Sequence, residues 1–236
     1  MTYLSVNINK IATLRNARGG DFPSVIDAAI RCQEFGADGI TVHPRPDARH
    51  ITKKDVYDIK KNIVREFNIE GYPSKDFIQL VLDVEPNQVT LVPDSPEVIT
   101  SCAGWDTIKN RDFLSSIIDK FKSKGIRTSI FVEPNKRMIE GSKICGADRV
   151  ELYTESYAKE YNIDKYNGIE PYMHAANKAC EIGIEINAGH DLNLDNLQFF
   201  VKKIPELKEV SIGHALISDA IYLGLENTIQ MYKRLL

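Results

Sequence analysis

The stretch Gly39-Ile-Thr-Val-His43 is an apolar run that ends in a histidine, and it decides how the fold of this chain is interpreted. A strand of a parallel sheet is buried on both faces, so it consists of nearly continuous apolar residues. A histidine or glutamate at the end of such a strand is costly to desolvate unless the site is used. Four further segments share this pattern, each before a helical pattern: Asn68-Ile-Glu70, Arg149-Val-Glu151, Ile186-Asn187-Ala-Gly-His190 and Val210-Ser-Ile-Gly-His214.

Outward from these segments, strand and helix patterns alternate in eight units without a linker or a break in composition. Short connections and right-handed crossovers favour a closed (β/α)8 TIM barrel, predicted as a single domain over residues 1–236. In a barrel the polar strand ends meet on one rim, where barrel enzymes hold their chemistry. A doubly wound open sheet is the alternative, but no G-x-G-x-x-G follows the first strand. The predicted strands are Leu4–Ile8, Gly39–His43, Asn68–Tyr72, Gln88–Val92, Arg127–Val132, Arg149–Tyr153, Ile184–Asn187 and Val210–Ile212.

Composition places the chain among ordinary globular proteins. Its 236 residues suit one large domain, with 43% hydrophobic and 27% charged residues. A net charge of -3 argues against a nucleic-acid or membrane-surface partner, and no apolar run approaches the ~20 residues of a membrane span. No signal peptide and no metal-binding motif is recognisable, and no metal is expected. The cysteines lack a C-x-x-C pattern and are expected to be reduced thiols of a cytoplasmic protein: Cys32, Cys102, Cys145 and Cys180.

His43 is followed by the segment Pro44-Arg-Pro-Asp-Ala-Arg-His50. A lone histidine at a strand end is usually a satisfied core residue. Here two arginines and a second histidine follow at once, in a loop that two prolines stiffen. Such a cationic loop is suited to holding a phosphate, which favours a catalytic or ligand-binding role for His43.

Glu70 and Glu151 are carboxylates in strands that the pattern predicts to be buried. Each alone is equally well explained by a salt bridge with a barrel arginine or lysine. A carboxyl group in a dry site has a raised pKa and serves as an acid or base near neutrality. Because histidines end the neighbouring strands, catalysis is favoured for the pair.

Two further segments indicate phosphate binding. Asn187-Ala-Gly-His190 and Ile212-Gly-His214 close strands seven and eight, whose loops often form a phosphate site in barrels. Glycine there lets backbone N–H groups approach an anion, although a tight turn also explains it. The polar segment from Asn7 to Gly20 has two interpretations. It is either a solvated loop or a segment whose arginines bind a substrate phosphate through bidentate hydrogen bonds.

Longer motifs carry a resemblance to a known family. They are Val6-Asn-Ile-Asn-Lys-Ile-Ala-Thr-Leu-Arg-Asn-Ala-Arg18, Gly36-Ala-Asp-Gly-Ile-Thr-Val-His-Pro-Arg-Pro-Asp-Ala-Arg-His-Ile51, Asn187-Ala-Gly-His190 and Ile212-Gly-His-Ala215. From Asn7 to about Gly224 the chain resembles the pyridoxine 5'-phosphate synthase family. The resemblance implies a cytoplasmic (β/α)8 barrel with extra helices, assembled as a homo-octamer. It also implies condensation of 1-deoxy-D-xylulose 5-phosphate with 3-amino-2-oxopropyl phosphate, without a metal or organic cofactor.

The resemblance further implies roles for single residues. His43 and Glu70 match the catalytic histidine and glutamate, His190 the proton donor, and Glu151 a carboxylate that stabilises transition states. The aminoketone phosphate, or the phosphate beside it, is assigned to Asn7, Arg18, Asp191, Gly213 and His214. The deoxyxylulose phosphate is assigned to Arg45, His50 and Thr100.

One pair departs from the family pattern. Many members have Asp-His where this chain has Asn9-Lys10. Asn9 keeps a hydrogen-bonding group and Lys10 keeps a cation beside the sugar phosphate, so both are assigned to substrate binding. Neither residue acts as the same acid or base as the pair it replaces.

Two other functions fit parts of the sequence. One is another phosphate-handling TIM-barrel isomerase or aldolase. An aldolase needs a buried lysine at a strand end for a Schiff base, and Lys10 is the nearest candidate. The other is a non-catalytic phosphate-binding protein. That interpretation does not explain why Glu70 and Glu151 lie in buried strands.

Overall fold

The computed structural model describes residues 1–93 and 103–236, so Thr100 and Cys102 lie outside the described residues. Within these ranges eight parallel strands close into a barrel, each paired with its neighbours in chain order and the last paired with the first. This confirms the predicted (β/α)8 barrel. The strands are β1 (Tyr3–Asn7), β2 (Gly39–Val42), β3 (Glu66–Gly71), β4 (Gln88–Leu91), β5 (Arg127–Val132), β6 (Arg149–Tyr153), β7 (Glu185–Gly189) and β8 (Leu207–Ile212).

Helices surround the barrel, and the described residues include more of them than one per strand, as predicted. They are α1 (Asn9–Arg18), α2 (Val25–Glu34), α3 (Lys53–Asn62), α4 (Lys75–Val84), α5 (Arg111–Lys122), α6 (Lys136–Ile144), α7 (Glu155–Ile182), α8 (Leu197–Lys203), α9 (His214–Leu223) and α10 (Leu225–Lys233). None of the described helices is long and apolar enough to cross a membrane.

The polar segment after β1 is helical, so its interpretation as a loop was wrong between Asn9 and Arg18. Ala12 is the one fully buried residue of α1, and its N-cap residue, Ile8, makes no side-chain capping bond. The segment therefore lacks both the apolar stripe and the capping residue that mark a helix in a sequence. The loop begins only at Gly19, where φ is +74°.

Side-chain caps fix where α3 and α4 begin. The Thr52 side chain accepts a hydrogen bond from the backbone N–H of Asp55, and the Asp55 carboxylate accepts from the N–H of Thr52. This is a capping box with aspartate in place of glutamate. Ser74 caps α4 by accepting from the N–H of Phe77. Each helix therefore begins immediately after a residue whose side chain satisfies a backbone N–H of the first turn.

The two Gly-Ala-Asp motifs, before β2 and β6, occupy equivalent positions in the two halves of the barrel. Asp38 Oδ2 accepts a 2.8 Å hydrogen bond from the backbone N–H of Leu4 in β1. Asp148 Oδ2 accepts one of the same length from the N–H of Thr128 in β5. Each motif therefore ties the start of its strand to the preceding strand.

The lower end of the barrel, where the strands begin, holds an ion network centred on the buried Arg149. Arg149 donates to Glu185 at 2.7 Å, to Gln88 at 3.1 Å and to Glu209 at 3.3 Å, and Arg127 pairs with Glu66. A buried arginine needs such partners because an unpaired charge there would be strongly destabilising. The network closes this end of the barrel with mutually compensating charges.

Candidate active site

The carboxyl ends of the strands surround a cavity of about 540 Å³. It brings together the sequence-predicted site residues apart from Arg18, which lies on the exposed face at the end of α1, and Thr100, which lies outside the described residues. The predicted residues around it are Asn7, Asn9, Lys10, His43, Arg45, His50, Glu70, Glu151, His190, Asp191, Gly213 and His214. The parallel strands explain the convergence, because all of their carboxyl ends point to one rim.

A more open groove of about 740 Å³ lies at the opposite end of the barrel, where Lys122 and Lys143 approach Asp148 and Glu185. Its lysines are already engaged: Lys122 donates to the carbonyl oxygen of Gly146 at 2.9 Å and Lys143 to that of Gly183 at 2.8 Å. No histidine lines it. The histidines and glutamates suited to acid–base chemistry therefore lie around the smaller cavity.

His43 and Glu70 face each other across the ends of β2 and β3. His43 Nδ1 lies 3.9 Å from Glu70 Oε2, and Ser211 donates to Glu70 Oε1 at 3.3 Å. Burial holds the pKa of His43 well below its usual range, and the neighbouring Arg45, His50 and Arg49 lower it further. His43 is therefore a neutral imidazole at neutral pH, the form that accepts a proton.

Asn9 connects the ends of β1 and β2. Its side-chain oxygen accepts a 2.9 Å hydrogen bond from the backbone N–H of His43. Its own backbone N–H donates to Asn7 Oδ1 at 3.1 Å. The side chain that the sequence assigns to substrate binding thus also holds the main chain of His43.

Glu151 is 3% exposed and lies against the backbone of β7. Burial raises its pKa well above the usual range, and the nearby carboxylates Glu70 and Glu209 raise it further. A Cβ atom at Gly189 would lie 2.3 Å from Glu151 Oε1, so only glycine leaves room for this carboxyl group. Burial therefore favours the protonated form of the Glu151 carboxyl group over the charged one.

His190 follows β7 in a left-handed backbone conformation, with φ of +83°. Its Nδ1 lies 2.9 Å from Asp191 Oδ2, and this hydrogen bond lowers the pKa of the Asp191 carboxyl group. The edge of its ring meets the Tyr153 ring, with 4.9 Å between the centroids. The hydrogen bond to Asp191 and the contact with Tyr153 together orient the His190 ring at the edge of the cavity.

The loop after β2 forms the cationic side of the cavity, with Arg45, Arg49 and His50. Burial, together with Arg45, Lys10 and Arg49, lowers the pKa of His50 to about 4. A neutral His50 beside these cations is suited to donating a hydrogen bond to a bound phosphate.

Helix α1 fixes this loop from outside the cavity. Arg15 and Asn16 donate to the carbonyl oxygen of His50 at 3.2 and 2.9 Å. Arg15 also forms a bidentate salt bridge with Asp55: its Nη1 donates to Oδ1 at 2.6 Å and its Nη2 to Oδ2 at 2.9 Å. No pattern in the sequence distinguishes Arg15 or Asn16, because their role depends on a helix that the sequence does not predict.

The ends of β1 and β8 form the glycine-lined side. Gly213 is the N-cap residue of α9, and His214 is its first helical residue. The first backbone N–H groups of a helix have no partner within the helix and favour anions. A Cβ atom at Gly213 would lie 3.0 Å from Cβ of Asn7, so glycine lets these two backbones approach. This arrangement supports the predicted phosphate site.

Ser211 and Phe131 also line the cavity, although the sequence analysis did not single them out. Ser211 could have been found from the two-residue period of β8, since Glu209 and Ser211 share its inward face. Phe131 packs on Tyr153 with 5.1 Å between the centroids, and no pattern in β5 distinguishes it from a core residue.

A closed (β/α)8 barrel with histidines, glutamates and anion-binding groups around one cavity defines the class: a TIM-barrel enzyme equipped for acid–base chemistry. Residues 4–236 match the family model described as Pyridoxal phosphate biosynthesis protein PdxJ, and the chain belongs to that family. This confirms the family that the sequence motifs indicated.

Named relatives agree with the family match. The chain is 62% identical to pyridoxine 5'-phosphate synthase of Bacteroides fragilis over 236 residues, which cover all of both chains. It is 60% identical to the enzyme of the same name from Flavobacterium johnsoniae, over 98% of each chain.

Solved structures with low sequence identity share the fold alone. Phosphoribosylanthranilate isomerase of Thermotoga maritima aligns with a TM-score of 0.62 and 15% identity, over 100% of this chain and 98% of that one. Thiamine phosphate pyrophosphorylase of Pyrococcus furiosus aligns with a TM-score of 0.63 and 11% identity, over 99% and 94%.

Proposed function

We propose that this chain condenses 1-deoxy-D-xylulose 5-phosphate with 3-amino-2-oxopropyl phosphate, giving pyridoxine 5'-phosphate, inorganic phosphate and water. The observation that carries the proposal is the cavity itself. His43, whose pKa is lowered, and Glu151, whose pKa is raised, share it with the cationic loop after β2 and the N-terminus of α9. Relatives at about 60% identity that are named pyridoxine 5'-phosphate synthase support the same reaction.

The first chemical step joins the amine of one substrate to the ketone of the other. The nitrogen forms a bond to the carbonyl carbon, and the carbonyl oxygen leaves as water after accepting protons. His190, paired with Asp191, is the proposed donor of those protons. His43 is the proposed base that removes protons from the substrates, with Glu70 facing its ring. A positioned acid or base contributes roughly 10²–10⁴-fold to such a step.

Later steps expel phosphate, close the ring and make it aromatic. Each requires a proton to leave carbon and an oxygen leaving group to gain one. Glu151, buried against Gly189, is proposed to stabilise the charge that develops on the ring oxygen atoms during these steps. Groups with separated pKa values thus divide the proton transfers without a metal or organic cofactor.

The two phosphates are proposed to bind on either side of β1. Arg45 and His50 take the deoxyxylulose phosphate, and the start of α9 with Asn7 takes the other phosphate group. Lys10 adds a cation at the first turn of α1. The contacts proposed for Arg18 and Thr100 rest on the family resemblance.

The direct test incubates the purified protein with both substrates and follows pyridoxine 5'-phosphate by liquid chromatography with mass detection. Product is expected with both substrates and not with either alone. A folded protein that forms no product would overturn the proposal. The aldolase alternative predicts that borohydride traps a substrate on Lys10, and we expect no such adduct.

We further propose a cytoplasmic homo-octamer, as in the family. Ile221, Tyr222 and Leu223 form an exposed apolar patch at the end of α9, which supports assembly because a monomer gains nothing from exposing it. The described cysteines are free thiols, as expected of a protein in a reducing compartment.

A further inference from the structure

The turn after β7 is held in an unfavourable backbone conformation. His190 and Asp191 are consecutive non-glycine residues in the left-handed region, with φ of +83° and +60°. Side chains with a Cβ atom rarely adopt this conformation, and it persists only where surrounding structure enforces it. The direction of the His190 side chain depends on that enforcement, because φ and ψ set the direction of its Cα–Cβ bond.

Thr154 supplies the enforcing contacts. Its hydroxyl donates to the carbonyl oxygen of Gly189 at 2.8 Å and also contacts the carbonyl oxygen of His190. Its backbone N–H donates to the same oxygen of Gly189 at 3.0 Å. These two carbonyl groups belong to the peptide units on either side of the His190 Cα atom. One buried hydroxyl therefore holds both peptide planes that orient His190.

Thr154 itself is rigidly supported. It is fully buried between the end of β6 and the start of α7. One residue earlier, the carbonyl oxygen of Tyr153 accepts a 2.7 Å hydrogen bond from the hydroxyl of Tyr172, which is 1% exposed. The Tyr153 ring then meets the His190 ring edge to face. The backbone and the ring of His190 are thus both fixed by consecutive residues of one segment.

We propose that Thr154 is the positioning residue of His190: its hydroxyl holds the left-handed turn that aims the imidazole into the cavity. The proposal rests on the proposed function insofar as His190 acts as proton donor. Thr154 is not among the described residues that line the cavity, so it acts through His190.

The decisive comparison is between Thr154→Val and Thr154→Ser. Valine keeps the branched shape and removes the hydroxyl, whereas serine keeps the hydroxyl and removes a methyl group. A misplaced catalytic group costs on the order of 10²-fold in rate. We expect Thr154→Val to lower kcat by roughly 10- to 100-fold with little change in either KM, and Thr154→Ser to restore most of kcat.

Thr228→Val is the matched control. Thr228 is also fully buried, and its hydroxyl donates to the carbonyl oxygen of Gly224 at 2.9 Å, in the first turn of α10. Its loss should leave kcat unchanged. If Thr154→Val reduces kcat no more than Thr228→Val, the positioning role is overturned.

A second readout does not depend on activity. In protein labelled with carbon-13 histidine, the Cε1–H resonance of His190, assigned with a His190→Gln variant, should move in Thr154→Val and stay in place in Thr154→Ser. An unmoved resonance in Thr154→Val overturns the inference even if the wild type makes product. A wild type without product overturns the proposed function, while the resonance still tests the inference.

If Thr154→Val does not fold by circular dichroism, Thr154→Ala is compared with Thr154→Ser. These two differ by the hydroxyl group alone, so equal resonances for His190 in both would overturn the inference. A resonance displaced only in Thr154→Ala supports it.

Discussion

The side-chain oxygen of Asn9 accepts a 2.9 Å hydrogen bond from the backbone N–H of His43, so the residue after β1 fixes the main chain at the end of β2. An amide makes this bond without adding charge. The neighbours that lower the pKa of His43 are Arg45, His50 and Arg49. An aspartate in place of Asn9 would instead set a negative charge beside the end of β2.

Asn9→Asp should raise the pKa of His43, because a carboxylate stabilises the protonated imidazole. The shift should be roughly one unit upward, at the low end for a nearby opposite charge. His43 must be neutral to accept a proton, so the acid limb of the kcat/KM profile should move to higher pH. Asn177→Asp, on the exposed face of α7, is the control and should leave the limb in place. An unmoved limb in Asn9→Asp would contradict this electrostatic role.

His43→Ala should lower kcat by roughly 10²–10⁴-fold, the contribution of a positioned base. The matched control is His174→Ala, since His174 lies exposed on α7 beside Glu170, far from the strand ends. The control should retain full activity. Circular dichroism must show both variants folded, and near-normal turnover in His43→Ala would exclude it as the main base.

Gly189→Ala should destabilise the fold by about 1–3 kcal/mol, as overpacking of a full core does. The added methyl group would lie 2.3 Å from Glu151 Oε1. Urea denaturation measures the free energy of unfolding. Glu151→Ala removes the obstructing atom, so the cost of Gly189→Ala should shrink in that background. Equal costs in both backgrounds would show that the carboxyl group is not what glycine accommodates.

Arg45→Ala should raise KM for deoxyxylulose phosphate by roughly tenfold or more, the effect of losing a charged hydrogen bond to phosphate. KM for the aminoketone should change much less, since its phosphate is assigned to the start of α9. Lys75→Ala, which removes an exposed cation on α4, is the control. An equal rise for both substrates would mean that Arg45 shapes the whole cavity.

Ile221→Glu should reduce the mass measured by light scattering at micromolar concentration. The wild type is expected to be a multimer in which the patch of Ile221, Tyr222 and Leu223 is covered, and a buried unpaired carboxylate disrupts such a contact. Lys120→Glu, on the exposed side of α5, should leave the mass unchanged. A monomeric wild type would rule out the oligomer.

The barrel was predictable because each strand is an apolar run with polar ends. The starts of two strands were placed late, however. β3 begins at Glu66 and β8 at Leu207, two and three residues before the predicted starts. Glu66 and Glu209 belong to the ion network at the lower end, and charged residues in a strand resemble a loop until their partners from other strands are known.

The site was predictable wherever a side chain projects from a strand end, as for His43 and Glu151. It was not predictable where a residue acts through the backbone. The roles of Arg15 and Thr154 depend on carbonyl groups 35 residues away in the chain, which no local pattern records. Helix α1 shows the same limit, because the tertiary contacts of Arg15 and Asn16 stabilise it without an apolar stripe.

The ion network at the lower end of the barrel also bears on how such an enzyme changes over time. Arg149 and its partners lie where the strands begin, whereas the cavity lies where the same strands end. A substitution at the rim, such as Asn9→Asp, therefore touches none of the contacts of this network. The two ends of the barrel therefore have separate tasks. The residues at the start of the strands stabilise the fold, and the residues at the end of the strands can change the chemistry of the cavity.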